Sequence, residues 1–150
     1  MSCLALGIAV DKSSQKELTE CAEYISLYKK IRHIVDLGEL YRLAAYRETG
    51  TYAAFEFALP DKSEALLFVF GHGLRYDEPL PEFQLKELDP NATYNITRHG
   101  DHFDPERDAF CCQPEPECHS VSGRSLMAHG LRVHLKGDLD SRIFHFKTAE

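Results

Sequence analysis

The densest group of side chains that could do chemistry lies between Thr97 and Ser120. It holds His99, Asp101, His102, Asp104, Cys111, Cys112, Cys118 and His119. A structural zinc site needs about four nitrogen or sulfur ligands, usually supplied by short paired motifs. The step from Cys112 to Cys118 is longer than such motifs, and two adjacent cysteines are poorly arranged to bind one ion. The spacing therefore predicts an irregular polar surface loop with unpaired thiols rather than a metal site.

Acidic side chains could break a glycosidic bond if two of them faced one cleft, about 5–9.5 Å apart. Asp138 and Asp140 lie in a predicted turn, where aspartate is favoured for turn geometry alone. The other candidates lie in the unpatterned loop, which is a poor support for a rigid site: Asp101, Asp104, Glu106 and Asp108. No pair is singled out, so we predict no catalytic residue, no cofactor-binding residue and no metal ligand.

Histidines and aromatic residues also have structural explanations. His129, His134 and His145 fall in or beside the last predicted strands and are expected to be structural or exposed. Gly71-His72-Gly73 follows a buried strand but opens no helix, so it predicts no phosphate-binding loop. An exposed row of aromatic side chains could stack on sugar rings, although core packing explains most of them. These aromatics occupy strand positions: Tyr41, Tyr52, Phe55, Phe57, Phe68, Phe70, Phe144 and Phe146.

A single long helix is predicted from Ser14 to about Leu37. Ser14-Gln15-Lys16-Glu17 is a capping box, and Gly38 is expected to end the helix in the left-handed conformation. A mostly apolar stripe follows at three- and four-residue steps: Leu18, Cys21, Ala22, Ile25, Tyr28, Ile31, Arg32 and Val35. Before the helix, Leu4 to Val10 predicts a strand buried on both faces. One such β/α unit cannot cover its own edges, which indicates that its structural partners are missing.

From Leu40 to Phe146 the apolar residues fall in short runs separated by turn residues. The predicted strands are 40–43, 51–58, 65–70, 83–85, 93–96, 131–135 and 141–146. In the second, Ala53, Phe55 and Phe57 share one face, and the last two strands are expected to form a hairpin around Gly137-Asp138. Strands at this spacing predict a β-sandwich. The fold class is therefore mainly β: an antiparallel β-sandwich preceded by one strand and one long amphipathic helix.

Size and charge restrict the class of protein. A chain of 150 residues suits one domain of ordinary size. The net charge of −7 argues against a nucleic-acid partner, which would require clustered Lys and Arg. No apolar run is long enough to span a bilayer, so no membrane partner is expected. Five cysteines, an odd number without a secretory signal, predict reduced thiols and a cytoplasmic location.

Four segments occur in an order and spacing that resemble those of a known enzyme family. They are Leu6 to Asp11 with Tyr24 to Arg32; Gly38 to Leu43; Asp61 to Ala65 with Leu88-Asp89-Pro90; and Ser122-Gly123, Leu126-Met127, His129-Gly130-Leu131, Gly137-Asp138 and Ser141 to Phe144. Together they resemble the carboxy-terminal part of the melibiase-type alpha-galactosidases, the family-36 glycoside hydrolases. The family more often has Asp at the place of Glu39, and Thr97 to Val121 does not match clearly.

The resemblance implies a three-part enzyme with an amino-terminal β domain, a central (β/α)₈ barrel and a carboxy-terminal β-sandwich. Residues 1–37 would then be the terminal β/α unit of the barrel, and residues 38–150 the sandwich. The family's nucleophile and acid–base carboxylates lie on barrel segments upstream of this chain. One β/α unit cannot assemble the active site of such a barrel, because several strands contribute to it. The resemblance therefore carries no catalytic residue into these 150 residues.

The function predicted from the sequence is that of a structural fragment. The parent enzyme would hydrolyse terminal alpha-galactosides by a retaining mechanism without a cofactor, whereas this chain alone would be inactive. Its partners would be the missing barrel and amino-terminal domain, and its uncovered helix face would favour self-association. Two alternatives stay open: a stand-alone carbohydrate-binding β-sandwich module, and a metal-dependent interaction domain. The parent's sugar, and the choice between hydrolysis and transfer, also stay open.

Overall fold

The computed structural model describes residues 11–76, 78–99 and 119–149. In this part of the chain the helices are α1 (Gln15–Leu37), α2 (Tyr46–Thr49) and α3 (Gly123–Ala128). The strands are β1 (Glu39–Ala44), β2 (Tyr52–Ala58), β3 (Glu64–Gly71), β4 (Thr93–His99), β5 (His119–Ser122) and β6 (Ser141–Thr148). The strand predicted from Leu4 to Val10 lies outside the described residues.

The strands form one antiparallel sheet in the order β1-β2-β3-β6-β4-β5. The strand that comes last in the sequence, β6, lies between β3 and β4 and pairs with both. The helix-then-antiparallel-β architecture confirms the predicted fold class. The predicted strands at 40–43, 51–58, 65–70 and 93–96 are confirmed as β1 to β4.

One face of the sheet is buried along its central strands, and we call it the sealed face. Its fully buried side chains are Ala54, Ala58, Ala65, Leu67, Val69 and Phe146, and Phe144 is also buried. They pack against a second layer, which we call the irregular layer because it consists of loops and the short helix α3; it contributes Leu74, Phe83, Leu85, Leu88, Leu126, Val133 and Leu135. A single isolated bridge, Phe83 to Leu131, joins two segments of that layer.

The opposite face carries α1, and we call it the helix face. Leu66 is fully buried there, beside the partly buried side chains of Phe57, Phe68 and Ile143. Only the last turns of α1 cover this face, through Ile31, Ile34 and Val35. Earlier members of the predicted stripe are only partly buried, namely Leu18, Cys21, Ile25 and Tyr28, whereas Ala22 and Arg32 are exposed.

The start of α1 forms as predicted, but its end does not. Ser14 accepts a hydrogen bond from the Glu17 amide at 3.3 Å, and its own amide donates to Glu17 Oε2 at 2.7 Å. The prediction of a left-handed Gly38 is wrong, because its φ of −78° and ψ of 157° are extended. A Cβ at this position would lie 2.3 Å from the Ile34 carbonyl oxygen and 3.0 Å from that of Ala58. Glycine is needed because the chain passes close to other backbone, not because of its φ angle.

The predicted hairpin between 131–135 and 141–146 is wrong. Residues 132–136 form no ladder, and β6 pairs instead with β3 and β4. The alternation in 131–135 nevertheless reports burial, because Val133 and Leu135 point into the core while His134 is only partly buried. The strand predicted at 83–85 is likewise reduced to the bridge at Phe83, with Phe83 and Leu85 buried.

Candidate functional site

The loop rich in Cys, His and Asp lies almost wholly outside the described residues. Its candidates Asp101, His102, Asp104, Cys111, Cys112 and Cys118 fall there, as do Glu106 and Asp108. Only its ends are described: His99 closes β4, and the backbone of His119 opens β5 opposite Ile96. In the ranges 11–76, 78–99 and 119–149, no group of three or more His, Cys, Asp or Glu side chains could hold a metal ion.

Asp138 and Asp140 are held by turn hydrogen bonds. Asp138 Oδ1 accepts from the backbone N–H groups of Gly73 and Leu139, the second at 2.9 Å. Asp140 accepts from the amides of Lys136 at 2.9 Å and Ser141 at 2.8 Å, and it pairs with the Arg142 guanidinium. Both aspartates therefore make the backbone hydrogen bonds for which aspartate is favoured in turns.

The open depressions on the described surface do not assemble two opposed acids. The larger, of about 640 Å³, is lined by Thr51, Gly73, Arg75, Tyr76, Glu78 and Pro79. Its acid, Glu78, accepts a hydrogen bond from the Arg75 amide at 2.9 Å. The smaller, of about 170 Å³, has Glu82 as its acid among Leu43, Ala44, Tyr52, Pro81, Phe83, Gln84 and Lys86. Among the described residues, neither lining offers the pair of carboxylates that glycosidic hydrolysis requires.

The aromatic residues of β2 and β3 form a row on the helix face. Phe57 and Phe68 meet edge to face with ring centroids 5.8 Å apart, and Phe68 and Phe70 are stacked at 6.3 Å. Phe55 lies beside Phe70, also at 6.3 Å. The row is covered by α1 at one end, but Phe70 at the other end is 44% exposed. Ala53, Phe55 and Phe57 share a face as predicted, although the fully buried face of β2 is the other one.

That buried face of β2 carries a charged residue that the sequence reasoning missed. Glu56 is fully buried between Ala54 and Ala58. Its Oε2 accepts from the Lys86 amide at 2.6 Å, and its Oε1 accepts from the Glu87 amide at 3.1 Å. Burial raises the pKa of Glu56, although these two hydrogen bonds oppose the shift. The side chain fixes the irregular layer to the sheet.

A second acidic residue, Glu64, collects basic groups on the helix face. Its Oε2 lies 2.9 Å from His145 Nε2 and 3.2 Å from His33 Nε2, and its Oε1 lies 3.5 Å from Lys147 Nζ. Burial opposes ionisation, but the hydrogen bond from His145 and the charges around it lower the pKa of Glu64. The predicted structural role of His145 therefore has a specific partner, whereas His33 was not singled out.

His99 stands next to this group. Its ring centroid is 6.2 Å from that of His145. Burial lowers the pKa of His99, and His145 and Lys30 add to the shift. Its Nε2 atom is buried and has no hydrogen-bond partner among the residues that the structure describes. Among the other predicted histidines, His129 is exposed at the end of α3.

The described residues contain no helix with the length and apolarity needed to cross a membrane.

Comparison with known proteins points to one enzyme family. Probable alpha-galactosidase C of Aspergillus terreus is 28% identical over 123 residues, which cover 82% of this chain and 14% of that protein. Alpha-galactosidase AgaA of Geobacillus stearothermophilus is 34% identical over 87 residues, or 58% of this chain and 12% of that protein. The crystal structure of the GH36 alpha-galactosidase AgaB from Geobacillus stearothermophilus superposes with a TM-score of 0.73 at 28% identity, covering 93% of this chain.

These relatives are much longer than this chain, which spans between 12% and 17% of their length. The match lies in the C-terminal domain: the family model of the glycosyl hydrolase family 36 C-terminal domain matches residues 52–146. That range runs from the start of β2 into β6 and includes most of the sheet. The chain belongs to the family of glycosyl hydrolase family 36 C-terminal domains.

Proposed function

We propose that this chain is the carboxy-terminal structural portion of an alpha-galactosidase-like glycoside hydrolase. The observation that carries the proposal is the family match over residues 52–146, in a chain that spans less than a fifth of its relatives. In the complete enzyme, the reaction would be hydrolysis of terminal alpha-galactosides with retention of configuration, without a cofactor. Retention requires a nucleophile and an acid–base carboxylate about 5–5.5 Å apart, and we assign both to the barrel that would precede these residues.

We divide the chain at the end of α1. Residues 1–37 would form the last β/α unit of the barrel, and residues 38–150 the terminal sandwich. The uneven burial of α1 supports this division. Its last turns are buried on the helix face of the sheet, whereas Leu18, Cys21 and Ile25 are only partly covered and Tyr24 is 41% exposed. Barrel strands would cover these earlier turns, and so would a second copy of the chain if the barrel were absent.

The chain on its own would bind its neighbours and perform no hydrolysis. The two depressions described above support this, because the described part of each lining contributes a single acid, Glu78 or Glu82. We expect the purified chain, free of host enzyme, to leave a chromogenic alpha-galactoside intact. Turnover that co-purifies with the chain and disappears in the double variant Glu78→Gln, Glu82→Gln would contradict the structural role.

A complementation experiment tests the proposed partner. A family-36 alpha-galactosidase truncated before the segment that corresponds to residue 12 would be mixed with this chain, and hydrolysis of the chromogenic substrate would be measured. We expect the chain to restore activity or thermal stability to the truncated enzyme. The variant Ile25→Asp should fail to do so, because it places a charge on the part of α1 that the sheet leaves partly uncovered. An exposed charge at Leu139, in Leu139→Asp, serves as the matched control.

The stereochemical part of the proposal has its own measurement. Proton NMR of the first product released by the complemented enzyme should show alpha-galactose before mutarotation, as a double displacement requires. Initial release of beta-galactose would contradict retention, and a galactosylated acceptor as the main product would indicate transfer instead of hydrolysis.

The aromatic row gives a second candidate, a carbohydrate-binding surface. Phe70 is 44% exposed and its ring stacks on Phe68, and such a ring could lie against the apolar face of a sugar. Calorimetric titration of the chain with galactose and with raffinose tests this function. Saturable heat that is lost in Phe70→Ala would favour the binding module, and the absence of heat would leave the structural role.

We also propose a reducing, cytoplasmic compartment. The odd number of cysteines supports it, together with the free thiol of Cys21. Titration of the protein, denatured immediately on isolation without reductant, should give close to one thiol per cysteine.

A further inference from the structure

One carboxylate joins three elements on the helix face. Glu64 opens β3, His33 lies in the last turns of α1, and His145 lies in β6. Both histidines present Nε2 to the same oxygen of Glu64, at 3.2 Å and 2.9 Å. These two contacts connect the end of α1 to two strands at the centre of the sheet. Since the side chain of Glu64 is only 16% exposed, water competes weakly for its oxygens.

The charged groups around Glu64 are all basic. Lys147 of β6 reaches its second oxygen at 3.5 Å. His99 of β4 lies beside His145, and Lys30 of α1 is close enough to His99 to affect its pKa. From β2, the residues that face the same side of the sheet are Phe55 and Phe57, which carry no charge. Among these described groups, Glu64 is therefore the acid. Each basic neighbour attracts its carboxylate more strongly when the neighbour is protonated, and less strongly when it is neutral.

Histidine side chains change charge between about pH 5 and 8. The surrounding charges hold the pKa of Glu64 below its ordinary value, so the carboxylate stays ionised throughout that range. Protonated His33 and His145 would make charge-assisted hydrogen bonds with it, which are about twice as strong as neutral ones. A neutral histidine can still donate from Nε2, but the attraction between opposite charges is lost. The contact is therefore stronger on the acid side of neutrality and weaker as the pH rises.

We propose that Glu64, His33 and His145 form a pH-dependent clamp that holds the end of α1 against the sheet. Protonation closes the clamp and deprotonation loosens it. The element that responds is α1, through the contact of its Ile34 with Leu66 of β3, because the sealed face of the sheet is covered by other segments. The inference concerns how the helix is held, and it does not depend on the alpha-galactosidase assignment.

Native-state hydrogen exchange of the full chain tests the clamp. The opening equilibrium of the amides at the end of α1 would be compared with that of β3 at about pH 6 and 8, after correction for intrinsic exchange rates. We expect α1 to open about two- to five-fold more often at the higher pH, relative to the sheet, which is the range of partly exposed ion pairs. The response should vanish in Glu64→Gln and shrink in His33→Gln.

His129→Gln is the matched control, because His129 is exposed at the end of α3 on another part of the molecule. It should keep the full response of the unmodified chain. Should Glu64→Gln fail to fold, His33→Gln still decides the question, since the side chain of His33 is 45% exposed and its loss leaves the core intact. An unmodified chain whose α1 opens equally at both pH values would overturn the proposal. A response that survives unchanged in His33→Gln would overturn it as well.

Discussion

The two faces of the sheet are covered in different ways. On the sealed face, small side chains of β2 and β3 such as Ala54 and Ala65 let an irregular layer approach closely, and Glu56 ties that layer down with two backbone hydrogen bonds. On the helix face, larger side chains such as Phe57 and Phe68 meet only the last turns of a helix, and Glu64 holds the helix through ionisable partners. On the sealed face, described residues of this chain bury the central strands, whereas on the helix face the burial is confined to the surroundings of Ile34.

The contrast suggests different roles for the two faces: the sealed face stabilises the fold, and the helix face leaves surface available for contact. The sealed face contains the buried core that a chain of this size needs to fold. The helix face leaves part of α1 and Phe70 accessible, and it is there that we propose the contact with a barrel. Four substitutions or titrations test the contrast, in order of decreasing effect.

Truncation of a buried aromatic ring should separate the two faces most clearly. Phe146 is fully buried on the sealed face, and Phe146→Ala should lower the free energy of unfolding by about 3–5 kcal/mol. Phe70→Ala on the helix face removes the same side chain from a site that is 44% exposed and should cost about 1 kcal/mol. Urea denaturation of both variants gives the comparison. Equal losses would mean that the faces do not differ in their contribution to folding.

Removal of the Glu56 carboxylate should have the next largest effect. Glu56→Ala leaves the amides of Lys86 and Glu87 without their acceptor, and we expect a loss of about 2 kcal/mol in the free energy of unfolding. Glu56→Gln keeps one acceptor oxygen and should lose less. If Glu56→Ala is as stable as Glu56→Gln, the two hydrogen bonds do not hold the irregular layer.

The junction between α1 and β1 should tolerate no side chain at Gly38. A methyl group there would meet the backbone oxygens of Ile34 and Ala58, so Gly38→Ala should cost about 1 kcal/mol by forcing the helix away from the sheet. The loss should appear as faster hydrogen exchange at the end of α1, while the amides of β3 keep their protection. A loss spread equally over both elements would place the strain in the sheet instead.

Glu56 and Glu64 should give stability changes of opposite sign with pH. The raised pKa of Glu56 means that the unfolded chain releases its proton first, so stability falls as the pH rises above the ordinary glutamate value. The lowered pKa of Glu64 gives stability that is present above that value and is lost as the pH falls through the folded pKa. The urea midpoint would be measured across acidic pH for both variants. In Glu56→Gln the decrease in stability with rising pH should be absent, and in Glu64→Gln the decrease with falling pH should be absent. Slopes of the same sign would contradict the assignment.

Local patterns predicted the elements whose causes are local. The capping box at Ser14 and Glu17 fixes the start of α1, and the uninterrupted apolar run beginning at Ala65 identifies the central strand β3. In contrast, alternation at Val133 and Leu135 reports that these side chains are buried, and it does not tell whether the backbone pairs with a neighbouring strand. That is why the hairpin was predicted in place of a covering segment.

The candidate site depended on contacts that no local pattern contains. Glu64 and His145 are 81 positions apart in the sequence, and they meet because β6 inserts beside β3. Glu56 had one local signal, an acidic residue between two alanines on a strand face, but its amide partners lie thirty positions further along. Gly38 was correctly placed at the helix end. The reason why glycine is needed there is the close approach of the Ala58 backbone, which only the folded chain reveals.

The central position of β6 bears on how the molecule is made. During synthesis, β3 and β4 leave the ribosome well before the strand that must lie between them. Until Ser141–Thr148 emerges, β3 and β4 each expose an unpaired edge, and such edges invite wrong partners. Completion of this sheet therefore depends on a strand that is translated after both of its neighbours, and a nascent chain stalled before it would be a natural substrate for chaperones.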